Sequence, residues 1–170
     1  MEYVTLVDSN DNEIGSEEKL SAHTQGLLHR AFSILLFDTN QRIILQKRAI
    51  TKYHSGGLWT NACCGHPRPG ESTLAAATRR LGEELNIETP LKHLFSFQYQ
   101  CSFENGLIEH EFDHVFVGTY PSSINPNPLE VAEIKQIGMH ELVADIKANP
   151  LSYTEWFKLL IPYYFKHQQA

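Results

Sequence analysis

Apolar and polar positions fall into short blocks along the chain, and their period switches between that of a strand and that of a helix. YVTLVD at 3–8 mixes apolar and polar positions as a strand does, and the polar SNDNEIG after it marks a turn. AFSILLF at 31–37 and RIILQKR at 42–48 are two further strand blocks, joined by DTNQ in the manner of a hairpin. At 71–87, ESTLAAATRRLGEELNI switches to helical spacing through Leu74, Ala77, Leu81 and Leu85, with Pro90 beyond its end. HLFSFQYQCSF at 93–103 and GLIEHEFDHVFVGTY at 106–120 predict long strands around the turn ENG, and PSSINPNPLE at 121–130 predicts a loop. MHELVADIKA at 139–148 predicts a second helix. SYTEWFKLLIPYYF at 152–165 predicts a third, opened by a capping box from Ser152 to Glu155 and kinked or ended by Pro162. Strands precede and separate a few helices without regular βαβ alternation. The expected class is α+β, a mixed β-sheet core flanked by helices.

Composition narrows this picture. A chain of 170 residues, 42% hydrophobic and 20% charged, suits one domain over 1–170 with a full core. A formal charge of −6 argues against a general nucleic-acid binder. No apolar run is long enough to span a bilayer, and the start lacks the pattern of a signal peptide. Of the three cysteines, Cys63 and Cys64 are adjacent, a poor geometry for a mutual disulfide. Free thiols in a reducing cytoplasmic setting are the expectation.

Several groups could carry chemistry. In GLIEHEFDH, strand geometry sends Glu109, Glu111 and Asp113 to one face and His110, Phe112 and His114 to the other. The acidic face is either solvated or able to hold one cation or share one proton. Among the nine histidines, His23, His29 and His66 are scattered, and none makes a metal motif alone. Joined by two carboxylates they would suit Zn²⁺ or Mn²⁺. Lys47, Arg48 and Lys52, with Lys19 earlier, form a basic cluster in an acidic chain, which suits either a phosphate-bearing ligand or an edge strand blunted by lysines. Arg79–Glu83 and Arg80–Glu84 are spaced for helix ion pairs.

The same helix matches a more specific template. Gly65, Glu71, Arg79, Leu81, Glu83, Glu84 and Ile87 fall at most positions of the Nudix box, whose helix carboxylates hold Mg²⁺ against a diphosphate. Arg80 stands where the box has glutamate and Asn86 where it has glycine, leaving Glu84 as the best surviving Mg²⁺ ligand. With LWTNACCGHP, IEHEF and an aromatic C-terminal segment carrying Trp156, nearly the whole chain resembles the type 1 isopentenyl-diphosphate Δ-isomerases, a family with a modified Nudix fold. The resemblance implies interconversion of isopentenyl diphosphate and dimethylallyl diphosphate through a tertiary carbocation, in a monomer or weak homodimer. It implies a tightly bound divalent metal, Mn²⁺ or Zn²⁺, on His23, His29, His66, Glu109 and Glu111, and a Mg²⁺ on Glu84. Lys19, Arg48, Lys52 and Arg80 would grip the diphosphate. Cys64, Glu111 and Tyr99 would handle protons, and Trp156 would face the hydrocarbon. Cys63 and Cys101 are left as small apolar residues.

The cysteine's ordinary pKa of about 8.5 leaves both thiol and thiolate accessible after a modest shift. Three rival readings remain: a Nudix-type diphosphate hydrolase, a Cys–His acyl-transfer enzyme built on Cys64, and a non-catalytic module with a structural metal.

Overall fold

The structure, a computed structural model, describes residues 1–52, 54–120 and 123–169. Its strands are β1 (Tyr3–Val7), β2 (Glu13–Glu18), β3 (His29–Phe37), β4 (Arg42–Arg48), β5 (Trp59–Thr60), β6 (Cys63–Gly65), β7 (Lys92–Ser102), β8 (Ile108–Thr119) and β9 (Val131–Gly138). The helices are α1 (Lys19–Gln25), α2 (Thr73–Leu85), α3 (Met139–Ala148) and α4 (Glu155–Gln168), with a 3₁₀ turn at Pro150–Ser152.

The organising strand is β3. One edge pairs in parallel with β8 from His29 opposite Glu111 to Phe37 opposite Thr119. The other edge is shared by antiparallel contacts to β1, β6 and β4. Beyond these, β7 pairs with β8, and β9 with β4, both antiparallel. The sheet is therefore mixed, and its central strands are covered on both faces. That explains why AFSILLF is apolar almost throughout instead of alternating.

Alternate residues of these strands serve two cores. Phe32, Ile34 and Leu36 of β3, Ile44 of β4 and Phe116 of β8 pack with Ala76, Ala77, Leu81 and Leu85 of α2. Leu35 and Phe37, Ile43 and Leu45, and Val115 pack on the opposite side with Trp156, Phe157, Leu160 and Ile161 of α4. Along β8, Glu109, Glu111 and Asp113 continue the row that Val115 occupies, so three acids enter the α4 side of the sheet. No helix among the described residues is long and apolar enough to cross a membrane.

The expected hairpin between 31–37 and 42–48 forms, with β3 starting earlier, at His29. Several details differ from expectation. EIG, read as part of a turn, opens β2 and pairs with β1. Leu74, one of the residues at helical spacing, does lie in α2 but is 47% exposed, because it sits in the first turn, where the core face begins only at Ala76.

The capping box from Ser152 to Glu155 does not form: Thr154 is the N-cap of α4 and makes no capping bond. Tyr153 is instead bridged to Trp59, the Thr154 hydroxyl donates to Thr60 Oγ1, and Glu155 accepts from Lys158. Pro162 does not end α4, which runs on to Gln168. Leu160 and Ile161 before it and Tyr164 and Phe165 after it pack on one core, and that burial holds the helix across the missing backbone bond. The helix α1 and strand β9 were not anticipated. Of the predicted loop, residues 121 and 122 lie outside the described residues; the rest is turn and coil ending at Glu130.

Leu81 is 1% exposed at the centre of the α2 core, so Leu81→Ala is expected to destabilise the protein by about 2–5 kcal/mol. Leu74→Ala is expected to change stability by no more than about 0.5 kcal/mol. Urea unfolding followed by circular dichroism measures both, and equal losses would contradict the helix orientation.

Candidate active site

Local structure delivers each group to one place. α1 is capped at its start by the Glu18 carboxylate, which accepts from Ser21 N, and ends at Gly26 with φ 65. That left-handed conformation suits glycine, and a Cβ there would lie 3.2 Å from Ile108. The turn sends the chain from His23 on α1 straight to His29 at the head of β3. Farther on, the Asn61 amide donates to the Ile34 and Cys63 carbonyls and accepts from Thr60 Oγ1. This ties the TNACCGH turn to β3, with Cys64 opposite Ser33. Gly65 passes so close to Phe32 that a Cβ would sit 3.1 Å from its ring, and His66 follows directly.

The three imidazoles converge. His23 Nδ1 lies 2.7 Å from the Lys19 carbonyl and His29 Nδ1 2.8 Å from the Leu27 carbonyl, so each turns Nε2 inward. His29 and His66 bring their Nε2 atoms within 3.3 Å of each other, and His66 Nε2 is 2.9 Å from Glu111 Oε1. His23, His29, His66 and Glu111 offer donor atoms that all lie within 4.8 Å of one another. Backbone carbonyls that fix the distal ring nitrogens while the proximal ones converge are the usual arrangement around a bound divalent metal. The donor set fits such an ion.

Glu109 is part of a second group, with His23 and His54, also within 4.8 Å. The Tyr99 hydroxyl bridges the two glutamates, donating over 2.6 Å to Glu111 and reaching Glu109 over 3.1 Å. Burial and the neighbouring Glu111 charge push the Glu109 carboxyl well above the usual range. Burial works in the same direction on Glu111, but hydrogen bonds from His29 and His66 outweigh it and keep Glu111 ionised. Burial lowers the His66 imidazole to about 4 and also lowers His23, so both imidazoles are neutral at neutral pH. Asp113, one step deeper, accepts from Ser33 Oγ at 2.7 Å and is raised to about 8 by burial and by Glu111.

A cavity of about 230 Å³ opens beside this cluster. Cys64, His66, Tyr99, Glu109, Glu111, Trp156, Glu84, Lys19, Arg48, Lys52 and Arg80 all line it, while His23 and His29 are fully buried. Thus the residues that the family resemblance implied for protons, metal and diphosphate meet in one region.

The thiol differs from expectation. Burial pushes Cys64 up to about 12; Arg48 pulls the other way, but Glu84, Glu109 and Glu111 add to the rise. At neutral pH it is a thiol, and the thiolate is not readily accessible. The three cysteines are free. Cys63 is an apolar core residue as expected, whereas Cys101 directs its sulfur at Glu109 Oε2 from 3.6 Å and so touches the site.

Each cation at the mouth is held by a partner. Lys19 pairs with Glu2 at 3.0 Å and Lys52 with Glu130. Arg80 bonds Glu83 and Glu84 and lies 3.4 Å from Glu130. Arg48 lies over the Trp156 ring at 5.2 Å and donates to the His54 carbonyl. Lys47 leaves the cluster, pairing with Glu133 on β9 at 2.8 Å, and β4 is not an edge strand. On α2, Glu84 is 5% exposed and its Oε2 accepts from Gln46 at 2.8 Å; Glu83 faces outward between Arg79 and Arg80.

Sequence reading missed His54, Glu130, Gln46 and Glu2. All four reach the site from loops or strands whose pairing is non-local, and no spacing pattern marks them. The nearness of His54 to TNACCGH was the one available signal.

Comparison with known proteins agrees with this geometry. Residues 27–157 match the NUDIX domain family. A protein from Deinococcus radiodurans has the same fold, with a TM-score of 0.76 at 18% identity over 93% of this chain and 96% of its own. The class is therefore a Nudix-fold protein carrying a histidine–carboxylate centre. At closer range, the chain is 52% identical over 160 residues to isopentenyl-diphosphate Delta-isomerase 2 of Photorhabdus laumondii, covering 94% of this chain and 90% of that one. It is 51% identical to the isopentenyl-diphosphate Delta-isomerase of Serratia proteamaculans, covering 92% and 87%. The chain belongs to the isopentenyl-diphosphate Δ-isomerase family.

Glu71 has a structural task here. It accepts from Arg79 Nε and Nη2, at 2.8 and 2.9 Å, and so closes the turn before α2 onto the helix. The hydrogen bonds from Arg79 hold its carboxyl down to about 2, against an ordinary 4.5. A depressed carboxyl adds stability above its unfolded pKa and loses it as pH falls through the folded one. Glu71→Gln is therefore expected to be less stable than the parent at pH 7, with the gap closing between about pH 4.5 and 2. Urea midpoints at several pH values test this; a constant gap would refute it.

Proposed function

We propose that this cavity interconverts isopentenyl and dimethylallyl diphosphate, adding a proton at one alkene carbon and removing one from the carbon nearer the diphosphate, with a tertiary carbocation between. The observation that carries the reading is the placement of the proton-handling groups. Cys64 on β6 and Glu111 on β8 flank opposite edges of β3 and line the same cavity. A short isoprenoid chain lying over β3 has a thiol on one side and a phenol–carboxylate pair on the other.

An alkene is a weak base, so its donor must be close and shielded from water. Burial supplies the shielding: Tyr99 and Glu111 are each less than a tenth exposed. Tyr99 donates its short hydrogen bond to the ionised Glu111, and burial with the adjoining carboxylates raises its hydroxyl well above the ordinary value. Cys64 enters as a neutral thiol, a proton source facing that pair. Giving that proton to the alkene leaves a thiolate and the carbocation, and the ionised Glu111 on the facing side then takes the proton from the carbon nearer the diphosphate. The face of Trp156 stabilises that cation by about 2 kcal/mol or more in a dry site.

Lys19, Lys52 and Arg80 take the diphosphate in exchange for the acids that hold them, Arg48 joins them from its place over Trp156, and this remote binding keeps the hydrocarbon in register with the proton groups. His23, His29, His66, Glu109 and Glu111 would hold one divalent metal, Mn²⁺ or Zn²⁺, and Glu84 a Mg²⁺. When bound, these ions supply positive charge, the first beside the proton-handling carboxylate and the second beside the diphosphate. Hydrolysis of the diphosphate fits less well. Arg80 replaces a helix acid and occupies Glu83 and Glu84, so α2 presents one buried carboxylate in place of an acidic cluster.

Incubation with isopentenyl diphosphate in deuterated buffer is expected to yield the allylic isomer carrying deuterium, without phosphate release. Phosphate release without the isomer would overturn the reading. Cys64→Ala should lower turnover about 10²–10⁴-fold, the usual worth of a positioned acid or base, while Cys63→Ala stays near the parent. Comparable loss in a folded Cys63→Ala protein would shift the role to the neighbouring thiol. Glu84→Gln should raise the Mg²⁺ concentration needed for half-maximal activity and weaken diphosphate binding, while metal content by mass spectrometry stays unchanged. Loss of the tightly held metal with an unaltered Mg²⁺ response would disprove two separate cation sites.

A further inference from the structure

His54 lies in the segment between β4 and β5 and is 8% exposed. Its Nε2 is 3.2 Å from Glu109 Oε1, and both side chains are 5% exposed. The ring is stacked on Phe103, with centroids 4.9 Å apart and planes at 22°, and stands edge-on to Trp156 at 5.7 Å and 88°. Its backbone carbonyl accepts from Arg48. One residue therefore touches a metal-site carboxylate, the indole and a cation of the diphosphate cluster.

The backbone after it is tightly determined. Ser55 has φ 53 and Gly57 φ 78, and a Cβ on Gly56 would come within 2.6 Å of the Ile50 carbonyl oxygen. Gly57 N donates to the Arg48 carbonyl and Leu58 N to the Ser55 carbonyl. This turn fixes the place from which His54 reaches inward.

The donor geometry separates ligation from positioning. His23 uses Nδ1 on the Lys19 carbonyl and so offers one nitrogen, Nε2, to a metal. That nitrogen cannot serve both donor groups of which His23 is a member. The group with His29, His66 and Glu111 is the fuller one, and assigning His23 to it leaves His54 and Glu109 as two donors, too few for a separate site. Glu109 itself is held from two sides, Oε2 by Tyr99 at 3.1 Å and Oε1 by His54. We propose that His54 is a positioning residue of the metal centre: it holds Glu109 at the angle from which this carboxylate joins His23, His29, His66 and Glu111. The proposal rests on the metal site described under Proposed function. Groups that orient metal-binding side chains in this way typically change metal affinity about 10–100-fold when removed.

Two full-length variants test it. His54→Phe keeps an aromatic ring against Phe103 and Trp156 but loses the bond to Glu109; His54→Gln loses the ring but keeps an amide donor near the position of Nε2. Mn²⁺ alone is titrated onto metal-free protein by chelator competition, and electron spin echo spectroscopy counts the histidine nitrogens bound to it. The expected result is affinity about tenfold or more weaker in His54→Phe, within about threefold of the parent in His54→Gln, and an unchanged nitrogen count in both. Parent-like affinity in His54→Phe would overturn the proposal. Loss of one bound nitrogen in both variants would also overturn it, by making His54 a ligand. A parent chain that takes up no Mn²⁺ would overturn the metal site along with this role. The deuterium experiment tests the isomerase reading separately.

Discussion

The site depends on the parallel pairing of β3 with β8. His29 stands opposite Glu111 in that register, and along β8 from Glu111 to Val115 buried and half-buried residues alternate. Side chains along a strand have a period of two, so a slip of one residue would turn Glu109, Glu111 and Asp113 to the other face and bring His110 and His114 inward. The register is secured farther along the same strands, where Leu35 and Val115 enter one core and Ile34 and Phe116 the other. Hydrophobic packing at one end of the pair thus positions the polar cluster at the other. Because β3 also carries β6 on its far edge, one strand sets both walls of the cavity.

Placing acids in that row is costly, and the way the cost is offset shapes the chemistry. An unpaired buried carboxylate shifts its pKa upward until it is neutral. Asp113, with Ser33 as its hydrogen-bond donor, does so. Glu111 has two imidazoles and a phenol and stays ionised; Glu109 has Tyr99, His54 and the Cys101 sulfur and is raised. Three chemically similar acids in one row are thereby given different proton affinities by their neighbours alone. The same environment keeps Cys64 a thiol, since three nearby carboxylates and burial oppose the single favourable charge of Arg48.

What could be read in the sequence follows from how local each signal is. The period of two in GLIEHEFDH gave the acidic face, and helical spacing gave α2, because strand and helix geometry act within a few residues. Leu74 fits that spacing yet is exposed, since the core ends before the first turn of the helix does, and the pattern carries no record of where a neighbour stops. The same holds for Ser152: its spacing to Glu155 suits a cap, but Tyr153 is drawn into a bridge with Trp59 almost a hundred residues earlier, and the helix starts two residues late. The convergence of the histidines was legible only through resemblance to a family, as no spacing links His23 to Glu111, whereas the cluster around Arg48 and Lys52 showed in the local charge pattern. His54, Glu130 and Gln46 arrive through pairings of β4 and the segments around it, and a single chain shows no local mark of them.

The α2 helix illustrates how a shared fold is redirected by few changes. Glu71 and Arg79 keep the turn locked on the helix, and Leu81 and Leu85 keep it in the core, so its scaffold is intact. What differs is the charge on the face toward the cavity. Arg80 places a guanidinium between Glu83, Glu84 and Glu130, converting a face suited to gathering cations into one that holds its own cation ready for an anion. Glu84, held by Gln46 from the opposite side, is the one acid of the helix that stays buried at the cavity wall. On the proposed reading, a diphosphate drawn to Arg80, Arg48, Lys19 and Lys52 would be bound without a cluster of ions around the bond that hydrolysis would break. The proposed reactive end of the cavity would then be left to Cys64, Tyr99 and Glu111, whose positions are set by the sheet and not by this helix.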